Sequence, residues 1–437
     1  MRLNEWFLKE TQALAPQLSA FRRDFHTNAE TGWLEMRTAS KIARRLTELG
    51  YTVLVGREVC REEDRMGVPP EEVLREHAEW AKTHGADPEF LDQVKDGFTG
   101  VIGIVHGAQD GPVYGMRFDI DALGVTESCE KSHFPAREDF SSVNPGCMHA
   151  CGHDGHAAIG LGVAEILMRH RDQWNGTVKL IFQPAEEGVR GAKSIVGAGH
   201  LDDVEILLGS HVAAMPEDEI CDLIPGAGGS LATTKLDAVF HGQAAHAGGS
   251  PESGKNAMLA MATAILNLQA IPRHSGGATR INVGRAEAGT GRNVIPDYAR
   301  LELEIRGETS ELNDYMEAYA RRIVKAAAEM HDCTLDLQVM GAAGSLESSP
   351  ELMQAIQKVA PACGLKVSKE LRAVSHGSED FAYMMNCVQA HGGQASFMQL
   401  TVPTAGPAHS PTFDFDERAL VNGVRAFAGF LLFGGAR

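Results

Sequence analysis

Short apolar runs recur through the first half of the chain, and a long helical pattern lies among them. The runs cover residues 100–105, 112–118, 178–182 and 206–208, and the helical pattern covers residues 155–169. Runs of this length, bounded by Gly, Pro and polar residues, are typical of buried strands. Because strands that alternate with helices build layered sheets, the pattern predicts an α/β fold.

A Gly-rich segment at residues 225–230 precedes a stretch with a different order of predicted strands and helices. Its predicted elements are strands at 236–240, 280–283 and 299–306, helices at 256–268 and 310–330, and one further strand. That order predicts a small α+β domain, a sheet with two helices on one face. A chain of 437 residues is also too long for one ordinary core. We therefore predict a domain of residues 226–340 inserted into a larger one formed by residues 1–225 and 341–437.

The net charge and the composition argue against several classes of function. The chain has 40 basic and 58 acidic residues, a net charge of −18, which argues against binding to nucleic acid or to an anionic membrane. No apolar run is long enough to span a membrane and no signal-peptide pattern is present, so we expect a cytoplasmic protein. Residues 57–97 are charged and punctuated by Pro, which predicts a helical surface insertion whose role the sequence does not indicate.

The densest chemical signal is a cluster of three His and two Cys between Cys147 and His156. Thiolate and imidazole are natural ligands of a borderline-soft divalent ion, and Gly152 allows Cys151 and His153 to turn toward one point. The sequence thus favours a metal site. The alternative is a turn that ends one strand and caps the next helix.

Other polar residues follow the predicted strands. Residues 183–188 include the Glu186-Glu187 pair, and His211 follows the next strand. Strand ends border the ligand crevice of an open α/β sheet, where one Glu can bind metal while the other handles protons. The alternative is a solvated surface pair. Asp119 and Asp121 are two carboxylates of the kind that orient ligating imidazoles, and the alternative is an ordinary loop at the end of a strand. His409 alone is a weak signal.

Together these segments resemble the aminoacylase and carboxypeptidase family of co-catalytic metallopeptidases, in the branch of hippurate hydrolases and indole-acetyl-amino-acid hydrolases. The marks span nearly the whole chain. They are residues 22–26 with Glu30, 117–123, 148–156, 183–188, His211, 242–247 with Pro251 and Gly254, 291–293, 378–380 and 409–417. The resemblance implies a catalytic domain with a mixed sheet flanked by helices, and an inserted ferredoxin-like domain that acts as a lid and dimerises.

The resemblance also implies two divalent metal ions per protomer, Mn²⁺ or Zn²⁺. Cys151 would be the thiolate that bridges them. Glu187 and His409 would bind one ion, and His153 and His211 the other. Cys147 departs from the expected pattern, and we expect it to pack rather than to bind metal.

The remaining roles follow from the same resemblance. Glu186 would be the general base. His246 would reach the site from a partner protomer and donate a hydrogen bond to the oxyanion. Asn293 and Arg306 would hold the substrate's α-carboxylate. The alternatives are that His246 caps a strand and that Arg306 sits in a surface ion pair.

The implied activity is hydrolysis of the amide bond of an N-acyl amino acid, with an aroyl substrate such as p-aminobenzoyl-glutamate expected. Other acyl amino acids, such as indole-acetyl-aspartate, hippurate-like compounds or acyl-aromatic amino acids, are alternatives. The expected assembly is a homodimer or a hetero-oligomer with a related subunit. Two other classes stay open: a non-catalytic subunit of such an oligomer, and a thiol redox protein that uses Cys147 and Cys151.

Overall fold

The computed structural model describes residues 4–216, 219–374 and 377–434. The chain divides into two compact units. The first comprises Met1–Gly228, Glu347–Ser375 and Asp380–Arg437, and the second Gly229–Leu346 and His376–Glu379.

The elements are numbered in chain order. The α-helices are α1 Glu5–Ala13, α2 Ala15–Thr27, α3 Met36–Leu49, α4 Glu71–Thr83, α5 Pro88–Val94, α6 Phe134–Arg137, α7 His153–Arg169, α8 Ala192–Gly197, α9 Ala257–Gln269, α10 Ser310–Met330, α11 Pro350–Val359, α12 Phe381–Ala390 and α13 Arg418–Gly434. The strands are β1 Thr52–Val55, β2 Val101–His106, β3 Val113–Asp119, β4 Thr177–Gln183, β5 Ile206–Ala214, β6 Leu223–Ile224, β7 Gly226–Ser230, β8 Ala232–His241, β9 Thr279–Ala288, β10 Tyr298–Gly307, β11 Thr334–Ala343, β12 Leu346–Glu347, β13 Arg372–Val374, β14 Gln394–Val402, β15 Thr404–Ala405 and β16 Asp414–Phe415.

The main sheet of the first unit has seven strands in the order β1-β2-β4-β3-β5-β14-β6. The four central strands, β4, β3, β5 and β14, run parallel, and the outer ones pair antiparallel. The predicted mixed sheet is therefore confirmed. Strands β3 and β4 are buried along almost their whole length, which explains why they read as continuous apolar runs.

The second unit contains a four-stranded antiparallel sheet in the order β11-β8-β10-β9. Its elements follow one another as β-α-β-β-α-β, the ferredoxin-like arrangement that the sequence predicts. Successive residues of β10 alternate between buried and half-buried, so one face of the sheet packs on α9 and α10 around a separate apolar core.

The Gly-rich segment that precedes the inserted domain has a regular structure. The Gly-rich segment is not a loop, because Gly226–Ser230 forms strand β7, a member of a small three-stranded sheet with β12 and β13. A Cβ atom at Gly226 would lie 2.5 Å from the Met353 sulfur, so these glycines permit close packing instead of a flexible joint.

Across the described ranges, the helices are too short or too polar to cross a membrane.

Candidate active site

Three neighbouring strands deliver polar side chains to one edge of the main sheet. Strand β3 ends at Asp119 and is followed by Asp121, β4 ends at Gln183, and His211 lies in the second half of β5. Since β4, β3 and β5 are adjacent and parallel, their carboxyl ends meet at the same edge. Glu186 and Glu187 follow in the loop after β4.

Cys151 and His153 enter this region at the start of helix α7. Gly152 between them has φ of 98°, a left-handed conformation that glycine adopts without strain. Nδ1 of His153 lies 2.9 Å from the backbone oxygen of Asp121. Because a carbonyl oxygen only accepts, Nδ1 carries a proton, and in the neutral ring, the form that binds metal, Nε2 presents the lone pair. That Nε2 atom is buried and has no hydrogen-bond partner among the described residues.

His211 repeats this arrangement. Its Nδ1 donates to the backbone oxygen of Val212 at 2.6 Å, which leaves Nε2 as the lone-pair nitrogen. Nε2 lies 3.4 Å from Sγ of Cys151. Two imidazole lone pairs are thus fixed by backbone oxygens on the far side of each ring, as is usual for metal-binding histidines.

The loop that carries the two glutamates is held in an unusual conformation. Ala185 has φ of 52° and Val189 has φ of 61°. The backbone N–H of Ala185 donates to the buried carboxyl of Glu35 at 2.8 Å. A side chain at Gly191 would place Cβ 1.8 Å from the Pro184 oxygen, so only glycine fits there. Strain of this kind persists because the surrounding contacts enforce it.

Asp121 fixes the backbone of the same loop through its side chain. Its carboxylate accepts the backbone N–H of Glu186 at 3.0 Å and of Glu187 at 2.9 Å. Oε1 of Glu187 lies 3.4 Å from Nε2 of His409. This oxygen is buried and has no hydrogen-bond partner in the part of the chain that the structure describes.

The donors form two sets that share the Cys151 thiol. Cys151, His153 and His211 form one set, and Cys151, Glu187 and His409 the other, with the donor atoms of each set within 4.8 Å of one another. Thiol, imidazole and carboxylate donors suit zinc and related divalent ions. The orphaned nitrogen of His153 and oxygen of Glu187 face this cluster, so the residues present fit a metal centre.

Burial and neighbouring charges shift the protonation of the cluster. Burial raises the pKa of the Cys151 thiol, and burial together with Asp121 raises the pKa of Glu187. Burial and the nearby imidazoles lower the pKa of His211 to about 3. Burial opposes the charged form of His153, yet Asp119 and the Cys151 sulfur raise its pKa well above the ordinary value. A bound cation would offset the cost of ionising the thiol and the carboxyl.

The supporting roles of His156 and Glu35 are not predicted from the sequence. Nδ1 of His156 lies 2.5 Å from Asp119, and its Nε2 accepts the backbone N–H of Val212 at 2.9 Å. This pair fixes the backbone next to His211. Glu35 has no motif around it, and burial, together with the charge of Asp121, raises its pKa to about 8.

Cys147 lies in a small buried cluster with Ala29 and Ala122. Burial raises the pKa of its thiol. Both observations agree with packing, as expected from the sequence.

In the second unit, His246 is exposed and its ring is oriented by the backbone. Nδ1 accepts the N–H groups of Gly248 at 3.1 Å and Gly249 at 3.0 Å, so Nε2 carries the proton of the neutral ring. Asn293 is also exposed and lies nearby, since its backbone oxygen accepts the N–H of Ala247 at 3.1 Å.

Arg306 lies elsewhere in this unit. Its guanidinium pairs with Glu304 at 2.7 and 3.1 Å and approaches Ser378 at 3.5 Å, so the ion-pair alternative describes its present contacts. In the register of β10 with β8, Arg306 lies opposite Thr233, whereas Tyr298, at the other end of β10, lies opposite His241, five residues before His246. Eight strand residues separate these ends by about 26 Å. The structure thus brings His246 and Asn293 together but keeps Arg306 apart.

The comparisons with known proteins decide the family. Residues 115–432 match the family described as peptidase family M20/M25/M40. The chain belongs to this family. It is 44% identical over 98% of its length, and 97% of the relative's, to an indole-3-acetyl-aspartic acid hydrolase of Enterobacter agglomerans. It is also 44% identical over 95% of both chains to one subunit of the p-aminobenzoyl-glutamate hydrolase of Escherichia coli K12.

Solved structures that are similar to this chain support the same family assignment. An aminobenzoyl-glutamate utilization protein from Klebsiella pneumoniae is 39% identical, with a TM-score of 0.84 and coverage of 99% of this chain and 98% of that one. A dinuclear metal binding peptidase of the M20 family from Bacillus subtilis is 26% identical, with a TM-score of 0.65 and coverage of 96% and 98%. The predicted resemblance and fold are confirmed, and the chain is a metal-dependent hydrolase of this family.

Proposed function

We propose that this chain hydrolyses the amide bond of N-acyl amino acids and that Cys151 bridges two divalent metal ions, manganese or zinc. The observation that carries the proposal is the shared thiol, which lies within 4.8 Å of the donors in both sets. Glu186 and Glu187 also lie within this distance of the His153 donor. The dinuclear metal binding relative from Bacillus subtilis supports the same interpretation.

The ligands divide around Cys151. Glu187 and His409 would hold one ion, and His153 and His211 the other. When bound, the two ions supply Lewis acidity that makes water a nucleophile near neutral pH and polarises the scissile carbonyl. Asp121 keeps the ligands in place, because it contacts His153 and the backbone of Glu187.

Glu186 is proposed to move the proton. Its carboxylate takes a proton from the attacking water and then delivers it to the nitrogen of the departing amino acid. Two features support this role: its backbone N–H is fixed by Asp121 at 3.0 Å, and only 7% of the residue is exposed. A partly desolvated carboxylate in a fixed loop is suited to short-range proton transfer.

His246 is proposed to stabilise the carbonyl oxygen as it gains charge. Its protonated Nε2 is exposed and available as a donor. The end of β10 that pairs with His241, five residues before His246, lies about 26 Å from the end that carries Arg306, so one inserted domain presents the two side chains at different places. We therefore infer a homodimer in which one copy supplies His246 and Asn293 and the other supplies Arg306. A hetero-oligomer is the alternative, since the Escherichia coli relative is named as one subunit of its enzyme.

The proposed substrate is an aroyl-glutamate such as p-aminobenzoyl-glutamate, from which free glutamate is released. Arg306 would bind the α-carboxylate through two N–H groups of its guanidinium. The substrate's carboxylate would then replace that of Glu304, which Arg306 contacts in the structure. Acyl-aspartates are the second candidate, because the indole-3-acetyl-aspartic acid hydrolase is equally similar at 44% identity.

A substrate panel tests this function. The full chain, reconstituted with Mn²⁺ or Zn²⁺, is assayed for release of free amino acid from aroyl-glutamates, acyl-aspartates and acyl-aromatic amino acids. We expect kcat/KM to be highest for p-aminobenzoyl-glutamate. A clear preference for indole-acetyl-aspartate would move the chain to the second candidate, and failure on every acylated amino acid would refute the proposal.

A further inference from the structure

A second group of metal-type donors lies in the first unit. It consists of Asp202, Cys387 and His391, whose donor atoms all lie within 4.8 Å of one another. Sγ of Cys387 is 3.9 Å from Nδ1 of His391. Cys387 lies in the last turn of α12 and His391 caps its end, one helical turn further on. Asp202 and His391 are exposed and Cys387 is half-buried, so solvent ions have access to the group.

The backbone around this group is fixed by the main sheet. Strands β5 and β14 are parallel and begin together, with Gln394 opposite Ile206. The N–H of Gln394 donates to the oxygen of Glu205 at 2.8 Å. A Cβ atom at Gly393 would lie 2.8 Å from that same oxygen, so glycine permits the close approach of the two segments. The loop with Asp202 and the end of α12 are therefore held side by side.

The group is distinct from the centre around Cys151. It lies at the amino ends of β5 and β14, whereas the candidate active site lies toward the carboxyl ends. His211 stands five strand residues beyond Ile206, a distance of about 17 Å. The two donor sets of the first centre do not include Asp202, Cys387 or His391.

We propose that Asp202, Cys387 and His391 form a further binding site for Zn²⁺. In a tetrahedral zinc site the sulfur and nitrogen ligands stand about 3.6 Å apart, close to the 3.9 Å between Sγ and Nδ1. Thiolate, imidazole and carboxylate are the usual zinc ligands, and the thiol proton leaves to solvent when the ion binds.

Two further features favour a cation there. The C-terminal end of a helix carries partial negative charge, and His391 lies at the end of α12. Cys387 and His391, four residues apart, lie on the same side of that helix. Three protein donors leave one position for water, which predicts a reversible site instead of a closed structural one.

The proposal is tested by titrating the metal-free full chain with Cd²⁺, whose bond to a thiolate absorbs in the ultraviolet. Cys151→Ser removes the thiol of the first centre and serves as the background. We expect this variant to keep a cadmium–thiolate band that saturates at one thiolate per chain, and Cys151→Ser with Cys387→Ser to lose it. Adding His391→Ala to the background should lower the Cd²⁺ affinity by on the order of tenfold or more.

Cys129 provides the matched control, because it is an exposed cysteine. Cys129→Ser in the same background should keep the band. A band that survives Cys387→Ser, or one that disappears with Cys129→Ser, overturns the proposal. Zinc uptake without the Cys151 substitution gives an independent measurement: the unmodified chain should take up one equivalent more than Cys387→Ser, and equal uptake overturns the site.

Discussion

Nδ1 of His153 donates to the backbone oxygen of Asp121 at 2.9 Å, while the side chain of the same Asp121 holds the backbone of both Glu186 and Glu187. One residue thus fixes an imidazole and a two-carboxylate loop at once. The relationship makes Asp121 a positioning residue on which the geometry of the metal centre depends.

Asp121→Asn is expected to lower metal affinity by about 10- to 100-fold, because one of the two loop N–H groups loses its carboxylate acceptor. Competition with a chromophoric chelator measures the affinity. Asp110→Asn changes an exposed carboxylate and should leave it unchanged. Unaltered affinity in Asp121→Asn would show that the loop keeps its position without this carboxylate.

Cys151→Ala is expected to lose bound metal and activity together, since the proposed bridging thiolate belongs to both donor sets. His153→Ala should behave in the same way. Metal analysis and turnover are measured on one preparation, with Cys129→Ala as the exposed-cysteine control. Full metal content with normal turnover in Cys151→Ala would refute the assignment of the site.

Arg306→Ala is expected to raise KM and lower kcat/KM at unchanged metal content, at a cost on the order of 2–5 kcal/mol if the carboxylate is left unpaired. Arg300→Ala is the matched control, because Arg300 is a carboxylate-paired arginine of the same strand. A substrate whose α-carboxylate is amidated should reproduce the loss with the unaltered enzyme. Equal hydrolysis of the free and amidated substrates would contradict a carboxylate contact.

His26 gives a prediction about pH. Burial opposes its charged form, but the carboxylates of Asp154 and Glu127, at 2.9 and 3.0 Å, raise its pKa to about 9. A raised pKa means that its contribution to stability is complete below the ordinary value near 6.5 and is lost as the pH rises through about 9.

In urea unfolding, the stability difference between wild type and His26→Gln should therefore be largest below pH 6.5 and should shrink through pH 9. His106→Gln, at an exposed position, controls for general effects of losing an imidazole. A difference that does not change with pH would contradict a charged His26 in the folded protein.

The sequence predicts much of the site because its residues follow adjacent parallel strands. Asp121, Glu186, Glu187 and His211 come after or within runs that read as buried strands, and parallel strand ends meet at one edge. The small inserted sheet is predictable for a similar reason, since its strands alternate between buried and half-buried residues.

Other features depend on contacts that leave no local pattern. Glu35 supports Ala185 from 150 positions away in the chain. Strand β7, with the sequence GAGGS, is poor in side chains, so its pairing comes from close backbone packing. The ion pair of Arg306 with Glu304 was open to prediction, because residues two apart on a strand share a face.

A paired measurement of metal content and turnover in Glu186→Gln and Glu187→Gln distinguishes the proton carrier from the metal ligand. We predict that Glu186→Gln keeps both metal ions while p-aminobenzoyl-glutamate hydrolysis falls by roughly 10²-fold or more, because the proton carrier is lost. Glu187→Gln should lose metal. If Glu186→Gln empties the site and Glu187→Gln does not, the two roles are reversed, and normal turnover in metal-loaded Glu186→Gln would contradict the proposed mechanism.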